Sequence, residues 1–211
     1  QMHKYIISPL AFSKGNKDNL HFLSEDDLEE FLNCYTRYYE KTHGMFAKGK
    51  HDYQRLFKNP NIRVIGYKKD GKILGYMVFS FKKAHENNFV INDMEINEIV
   101  FENREVFKEF SAFLNSQYDQ IRKIIYYTQD SEFYHSLLDV RGESGNMIPS
   151  VYHETNTSGM GLMYRIVDFK KLISDLAEYN FNDVTGKVKF EIVDSFFPEN
   201  EGDYIVSFED G

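Results

Sequence analysis

The sequence predicts an α+β protein, in which a layered sheet is flanked by helices. Three observations favour this class: an amphipathic helix near the amino terminus, a strand–turn–strand pattern around Asp70 and Gly71, and a second helix signal that starts at Asn103 and is followed by another strand. Of the 211 residues, 42% are hydrophobic and 16% are aromatic. This apolar content is sufficient for a buried core, and the length suits one large domain or two small ones.

The first helix is predicted to begin at Ser24. Serine is a favoured N-cap, and the three acidic residues that follow it complement the positive end of the helix dipole. Apolar residues then recur at steps of three and four, which predicts one buried stripe: Leu28, Phe31, Leu32, Tyr35 and Tyr39. Gly44 is the predicted end of this helix. Residues 5–7 and 20–23 are predicted to form short strands.

The middle of the chain has the pattern of a sheet. Two β-rich runs flank the turn residues Asp70 and Gly71, and a third run alternates apolar and polar residues in its second half. A helix capped by Asn103 is expected to run to about Tyr118. The predicted strands and the short helix that ends this region are residues 62–67, 73–81, 89–101, 121–128 and, for the helix, 131–138.

The sequence changes character beyond residue 140, where turn-rich stretches appear. We expect a boundary near residues 145–160, with one domain over residues 1–150 and a second over residues 151–211. A helix from Asp168 to about Tyr179 and strands at residues 186–193 and 203–208 are predicted in the second part.

The two ends of the chain suggest a fragment. Gln1 precedes Met2, and the turn residues Asp210 and Gly211 arrive without a returning strand. A domain that stopped there would leave an unpaired strand edge, so a piece of a longer protein is expected, with a frayed natural tail as the alternative.

Charge and cysteine content exclude several function classes. With 25 Lys and Arg against 33 Asp and Glu, the net charge is −8, which is unsuited to binding a phosphate backbone. The one cysteine, Cys34, excludes an internal disulfide and is expected to pack as a small hydrophobic residue. The seven histidines lack metal-ligand spacing. No run of residues predicts a membrane span or signal peptide, so a cytoplasmic protein without metal, nucleic acid or membrane partners is expected.

The order of elements and two short motifs resemble the GNAT superfamily of N-acetyltransferases. Residues 72–76 (Lys-Ile-Leu-Gly-Tyr) resemble a strand of that superfamily, and residues 94–100 (Met-Glu-Ile-Asn-Glu-Ile-Val) resemble its central strand. Residues 163–168 (Met-Tyr-Arg-Ile-Val-Asp) resemble the entry to the sterol-carrier-like domain of the enhanced-intracellular-survival (Eis-like) acetyltransferases. The resemblance implies a mixed, mostly antiparallel sheet flanked by helices.

This resemblance also implies a function for the whole enzyme. An Eis-like protein is expected to transfer acetyl from acetyl-CoA to a small primary amine, and to assemble as a homo-oligomer. Residues 1–150 would be its second GNAT unit and residues 151–211 part of the sterol-carrier-like domain. The catalytic CoA site would lie in another unit, so acetyl-CoA is expected as co-substrate of the whole enzyme and not as a ligand of this chain.

One departure from the family pattern supports that expectation. Active GNAT domains follow the central strand with a glycine-rich loop whose amides hold the CoA pyrophosphate. The corresponding residues 101–107 contain no glycine but carry two carboxylates, Glu102 and Glu105. Arg104 offsets one of these charges at best. The sequence therefore predicts a GNAT unit without a cofactor site, which would serve as scaffold and as a wall of the substrate pocket.

Three side chains are candidates for chemistry if the unit is active. Glu95 and Glu98 lie on the central strand, where a GNAT general base is often found, and their spacing predicts opposite faces. Tyr134 resembles the GNAT tyrosine that protonates the leaving thiolate. For each of them a structural role is the competing interpretation. Of these three side chains, Glu98 and Tyr134 are the predicted catalytic residues.

Two alternative functions stay open. One is a self-sufficient acyltransferase with a degenerate CoA loop, in which Tyr134→Phe would slow turnover. The other is a hydrophobic-ligand or interaction module, which the sterol-carrier-like end suggests. Only part of that domain is present, so fatty-acid binding is not expected.

Overall fold

The computed structural model describes residues 2–42, 44–85, 88–150 and 152–209. The chain divides into two compact units, residues 1–162 and 163–211. The first unit contains, in chain order, β1 (Met2–Ile7), β2 (Leu20–Phe22), α1 (Leu28–Tyr39), α2 (Lys50–Lys58), β3 (Ile62–Lys69), β4 (Lys72–His85), β5 (Asn88–Phe101), α3 (Arg104–Asn115), β6 (Ile121–Thr128), β7 (Met147–Ile148), β8 (Tyr152–His153) and β9 (Thr157–Gly159).

A seven-stranded sheet in the order β2-β3-β4-β5-β6-β1-β9 forms the centre of the first unit. Neighbouring strands are antiparallel except for β5 and β6, which run parallel. Parallel neighbours require a crossover connection, and α3 provides it. The predicted α+β class, with a mixed and mostly antiparallel sheet flanked by helices, is confirmed.

Both faces of the sheet are buried. Successive strand residues point to opposite faces, so each strand contributes side chains to two cores. The face towards α3 packs around residues that include Tyr5, Met77, Phe79, Met94, Ile96 and Phe110. The face towards α1 and α2 packs around residues that include Phe31, Tyr35, Tyr53, Tyr76, Val78 and Val100. Three buried tyrosines, Tyr35, Tyr53 and Tyr76, belong to the core on the α1 and α2 side, where their hydroxyl groups need partners.

The start of α1 agrees with the prediction. The Ser24 hydroxyl accepts from the amide of Asp26, and the Asp27 carboxylate accepts from the amide of Ser24, so a capping box opens a short 3-10 turn that leads into α1. The helix ends at Tyr39, before the predicted Gly44, and a second helix follows at Lys50. That helix, α2, was not predicted from the sequence.

The second unit contains α4 (Phe169–Asp175) packed on the antiparallel pair β10 (Gly186–Ile192) and β11 (Gly202–Phe208). Phe169 is buried against Phe190 and Tyr204. Helix α4 is shorter than the predicted 168–179. Residues 210 and 211, on which the prediction of a half-made hairpin depends, lie outside the described residues.

The division between the units falls later than the predicted boundary at residue 150. Strand β9 pairs with β1, as in the pairs Met2 with Gly159 and Lys4 with Thr157. This pairing joins residues 157–159 to the central sheet, and the boundary therefore follows Leu162.

Candidate functional site

Strand β5 contains a bulge at its centre. Ile96 pairs with Phe79 and Glu98 pairs with Val78, so Asn97 has no partner across the ladder. One extra residue exchanges the two faces for everything that follows it in the strand. The bulge therefore changes which residues of β5 face α1 and α2.

This bulge corrects a prediction about Glu95 and Glu98. Residues that pair across antiparallel strands point to the same face, and their partners Ser80 and Val78 are two positions apart on β4. Both carboxylates therefore point towards α1 and α2, and the expectation of opposite faces is wrong. Alternation along an unbroken strand was assumed, and the bulge violates it.

The Glu98 carboxylate is held by two donors. Tyr76 Oη donates to Glu98 Oε1 at 2.7 Å, and Lys48 Nζ donates to Glu98 Oε2 at 2.7 Å. The Glu98 side chain is 18% exposed and that of Lys48 is 33% exposed. Each oxygen thus has a charged or hydroxyl partner in a half-buried setting.

Aromatic rings surround this pair. The Lys48 ammonium lies 4.8 Å from the ring centre of Tyr35 and 5.5 Å from that of Tyr53. The hydroxyl oxygens of Tyr53 and Tyr76 are 3.3 Å apart. We call the five residues Tyr35, Lys48, Tyr53, Tyr76 and Glu98 the Glu98 cluster. It combines a carboxylate, an ammonium group and three phenols in one place.

The phenols of the cluster stay neutral over the physiological range. Burial, and then the nearby charge of Glu98, raises the pKa of Tyr35 to about 12. The same two causes raise the pKa values of Tyr53 and Tyr76. Tyr76 therefore acts as a hydrogen-bond donor to Glu98 and not as a base.

A carboxylate in this setting could accept a proton from an amine, as general base catalysis requires. Both oxygens of Glu98 are already engaged, so an incoming amine has to replace Lys48 or approach a remaining lone pair. Glu95 lies on the same face but pairs with Lys82, away from the cluster. Of the two carboxylates, only Glu98 takes part in the tyrosine network.

Tyr134, the second catalytic candidate, lies on the other side of the sheet. It belongs to a short 3-10 turn, Phe133–Ser136, and packs at the edge of the core that faces α3. Its ring is 4.1 Å from that of His135. The structure therefore does not bring Tyr134 into the Glu98 cluster.

The start of α3 is the place where the resemblance described above predicts a CoA-holding loop. The Asn103 side-chain oxygen accepts from the amide of Glu105 at 3.0 Å and from the amide of Val106 at 3.1 Å. An N-cap of this kind uses the amides that would otherwise be free to bind an anion. The predicted cap by Asn103 is confirmed.

The two carboxylates near this helix start are placed differently from each other. Glu102 pairs with Arg37 of α1, whose Nε lies 2.7 Å from Oε1. Although burial disfavours the charged guanidinium, the bond to Glu102 raises the pKa of Arg37. Glu105 is exposed at the first turn of α3. The residues present at this helix start therefore do not fit a pyrophosphate group.

Strands β5 and β6 stop pairing partway along their length. Their parallel ladder ends at Ile96 and Tyr126, although β5 continues to Phe101. A cleft of about 530 Å³ lies beside the start of α3, and Arg104, Lys108 and His135 are among its lining residues. This cleft carries positive side chains but lacks free helix-start amides at Glu105 and Val106.

Two kinds of feature are missing from the described residues. None of the described helices is long and apolar enough to cross a membrane. In the same part of the chain, no three side chains of histidine, cysteine, aspartate or glutamate are grouped to hold a metal ion.

The sequence interpretation missed most of the Glu98 cluster. Lys48, Tyr53 and Tyr76 come from three different elements, and only the fold brings them together. Helix α2 had a usable signal, because Gly49 precedes Asp52, whose carboxylate caps the helix by accepting from the Gly49 amide at 2.8 Å.

A family model for the acetyltransferase (GNAT) domain matches residues 44–166, more than half of the chain. No curated protein matches the sequence with significance. The matched range contains β3 to β6, α2 and α3, and with them four of the five residues of the Glu98 cluster. Tyr35 lies before it.

Solved structures share the fold. A GCN5-related N-acetyltransferase from Anabaena variabilis ATCC 29413 is 16% identical, with a TM-score of 0.72, 100% of this chain covered and 51% of that one. For a probable N-acyltransferase from Enterococcus faecalis V583 the values are 18%, 0.64, 99% and 50%. For a GCN5-related N-acetyltransferase from Kribbella flavida they are 13%, 0.68, 100% and 48%. The chain thus spans about half the length of these structures.

The mixed sheet, the separation of β5 from β6 and the match over residues 44–166 agree with one another. The chain belongs to the GNAT acetyltransferase domain family.

Proposed function

We propose that the chain is part of an Eis-like N-acetyltransferase, which transfers acetyl from acetyl-CoA to a primary amine. In this proposal residues 1–162 form a second GNAT unit that supports the enzyme and lines the amine pocket. Residues 163–211 form the beginning of a sterol-carrier-like domain. The CoA site of the whole enzyme lies in another unit. Support comes from the family match and from the three longer N-acyltransferase structures that the chain overlaps.

The cap on α3 is the observation that carries the non-catalytic role. Asn103 accepts from the amides of Glu105 and Val106, so a pyrophosphate would have to displace this side chain before it could use them. The exposed carboxylate of Glu105 adds repulsion. These two features oppose binding of a polyanion at this helix start.

The Glu98 cluster supports the proposed role of this unit in lining the amine pocket. A half-buried carboxylate beside tyrosine rings is suited to contact an amine, because both the charge and the ring faces attract an ammonium group. The cluster lies on the face of the sheet opposite to Tyr134. The unit would therefore contribute substrate contacts without a complete set of catalytic groups.

Turnover assays test the proposal. The chain is incubated with acetyl-CoA and a panel of primary amines, and thiol release is followed against an enzyme-free control. We expect no release above that control, whereas a longer protein that carries this chain behind a further GNAT unit is expected to turn over. The predicted homo-oligomer is tested on the same longer protein by light scattering.

One observation favours the alternative of a self-sufficient acyltransferase. The cleft beside α3 is open, and the side chains of Arg104 and Lys108 give it positive charge. Under this alternative the chain alone releases thiol, and Tyr134→Phe slows the release. A matched change, Tyr127→Phe at a position 45% exposed on β6, would leave it unchanged. Turnover with that pattern would replace the proposal by the alternative.

A further inference from the structure

Lys48 is held in the way that a bound amine is held. Its ammonium group donates to the Glu98 carboxylate at 2.7 Å and lies over the rings of Tyr35 and Tyr53. A carboxylate combined with aromatic faces is a general arrangement for recognising ammonium groups. The Glu98 cluster thus has the form of a cation site with an occupant from the same chain.

The walls of this site are anchored independently of Lys48. Tyr35, Tyr53 and Tyr76 are at most 2% exposed, and the Tyr53 ring packs edge-on against Phe31 at 4.6 Å. Glu98 is fixed by the β5 ladder and by the bond from Tyr76. The Tyr35 hydroxyl donates to the Phe46 carbonyl of the connection between α1 and α2, but the Tyr35 ring also packs against the rings of Tyr39 and Tyr53. The carboxylate and the two ring faces therefore stay in place when the ammonium group leaves.

The occupant comes from a less regular part of the chain. Lys48 belongs to the connection between α1 and α2, whose described residues 40–42 and 44–49 form turns and irregular backbone. Its side chain is one-third exposed. Such connections open at lower cost than helices and strands, because they bury fewer contacts. Lys48 can therefore leave while the walls of the site stay.

We propose that Glu98, Tyr35 and Tyr53 form a binding site for a protonated primary amine, which Lys48 occupies as an internal ligand. The ligand class is an unbranched alkylammonium ion, because the present occupant is an unbranched chain ending in an ammonium group. This inference deepens the proposed function and rests on it for the biological substrate. It adds that the connection between α1 and α2 must release the site before the substrate amine binds.

A second ion pair in the protein provides a matched control. Lys68 donates to Asp27 at 2.6 Å, and the exposures of the two side chains, 34% and 21%, are close to those in the Lys48–Glu98 pair. Among the described residues no aromatic ring lies under the Lys68 ammonium. Removal of Lys68 leaves a carboxylate without ring walls.

The test uses n-propylammonium, which replaces the atoms that Lys48→Ala removes. Binding to the full chain is measured by calorimetry and by the unfolding midpoint, at constant ionic strength. We expect saturable binding to Lys48→Ala with a Kd at least about tenfold lower than for the unchanged protein, a difference of about 1.4 kcal/mol. Lys68→Ala is expected to bind no better than the unchanged protein, and n-propanol, which lacks the charge, is expected not to bind.

Equal binding by Lys48→Ala and the unchanged protein would overturn the inference, as would equal binding of n-propanol. Should Lys48→Ala fold poorly, the amine is expected to restore its unfolding midpoint, and a failure to restore it would count against the site. Binding of acetyl-CoA by this chain would refute the proposed function but would not alter these amine results. The two failures are therefore distinguishable.

Discussion

Two sites, one on β5 and one just after it at the start of α3, differ in the groups that they offer to a ligand. At the bulge, Glu98 lies in a cluster of tyrosines, and its carboxylate accepts a hydrogen bond from Lys48. A few residues later, the start of α3 is closed by its own Asn103 cap. The first site has the groups to contact an amine, and at the second the amides of Glu105 and Val106 are already bonded to Asn103. Under the proposed function, this unit contributes contacts to the amine and none to the cofactor.

The difference has a structural origin. The bulge at Asn97 turns Glu98 towards the tyrosines under α1 and α2. Beyond it, Asn103 takes the place of a glycine-rich loop and makes an ordinary helix start. Four predictions follow for these two regions, ordered from the largest expected effect.

Alkaline pH is expected to unfold the protein, because its buried tyrosines, those of the Glu98 cluster among them, resist ionisation in the folded state. The pKa of Tyr35 is raised from 10.0 to about 12 by burial and then by Glu98, and those of Tyr53, Tyr76 and Tyr126 are raised as well. A raised pKa in the folded state contributes stability that is complete below pH 10 and is lost as the pH rises through the folded value.

Phenolate absorbance and circular dichroism, recorded along one alkaline titration, check this prediction. We expect a cooperative step in phenolate absorbance that coincides with loss of the folded signal above pH 10. Ionisation of every tyrosine near pH 10 with the fold intact would show that the cluster is not buried as described.

Tyr76→Phe is expected to destabilise the protein by about 1.5–3 kcal/mol, because it removes a donor from the half-buried Glu98 carboxylate. Urea unfolding measures the change. Tyr127→Phe, at a residue that is 45% exposed, is the control and is expected to stay within about 0.5 kcal/mol of the unchanged protein. Equal stability of the two variants would show that the hydrogen bond from Tyr76 to Glu98 does not stabilise the fold.

Gly75→Ala is expected to cost about 1–3 kcal/mol through overpacking at the α3 end. An added Cβ would lie 2.5 Å from Val106 Cγ1 and 2.7 Å from the Val100 carbonyl oxygen. Gly159→Ala is the matched control, since an added Cβ there meets nothing within 4 Å. Thermal unfolding of both variants decides whether β4 approaches the helix start as closely as described.

Asn103→Ala is expected to cost about 1 kcal/mol, since the amides of Glu105 and Val106 lose their acceptor. Asn103→Asp keeps an acceptor oxygen and is expected to be nearly neutral. Denaturant unfolding of the pair measures the cap itself. A loss of the same size in both variants would mean that the side-chain oxygen is not what closes α3.

Local rules were sufficient to predict much of the fold. The cap at Ser24, the cap at Asn103 and the turn at Asp70 and Gly71 depend on neighbours in sequence, and all three are present. Both turn residues have positive φ, of 51° and 75°, which is the backbone that favours aspartate–glycine in a tight hairpin.

The candidate site was only partly predictable. Glu98 could be selected from its position on a central strand, but its face depends on a bulge that no local pattern near Asn97 indicates. Lys48 and Tyr76 are separated by 28 positions, and both bind Glu98 only because the fold brings the connection after α1 and strand β4 to the same part of β5. Long-range contacts of this kind leave no periodic signal in a single sequence.

The central claim is that the helix start at Asn103 does not bind the CoA pyrophosphate. Isothermal titration of the chain with acetyl-CoA tests it most directly. The account predicts no saturable heat up to about 1 mM ligand, equivalent to less than about 4 kcal/mol of binding free energy. A Kd of about 1 μM would contradict it, above all if Asn103→Ala changed that Kd.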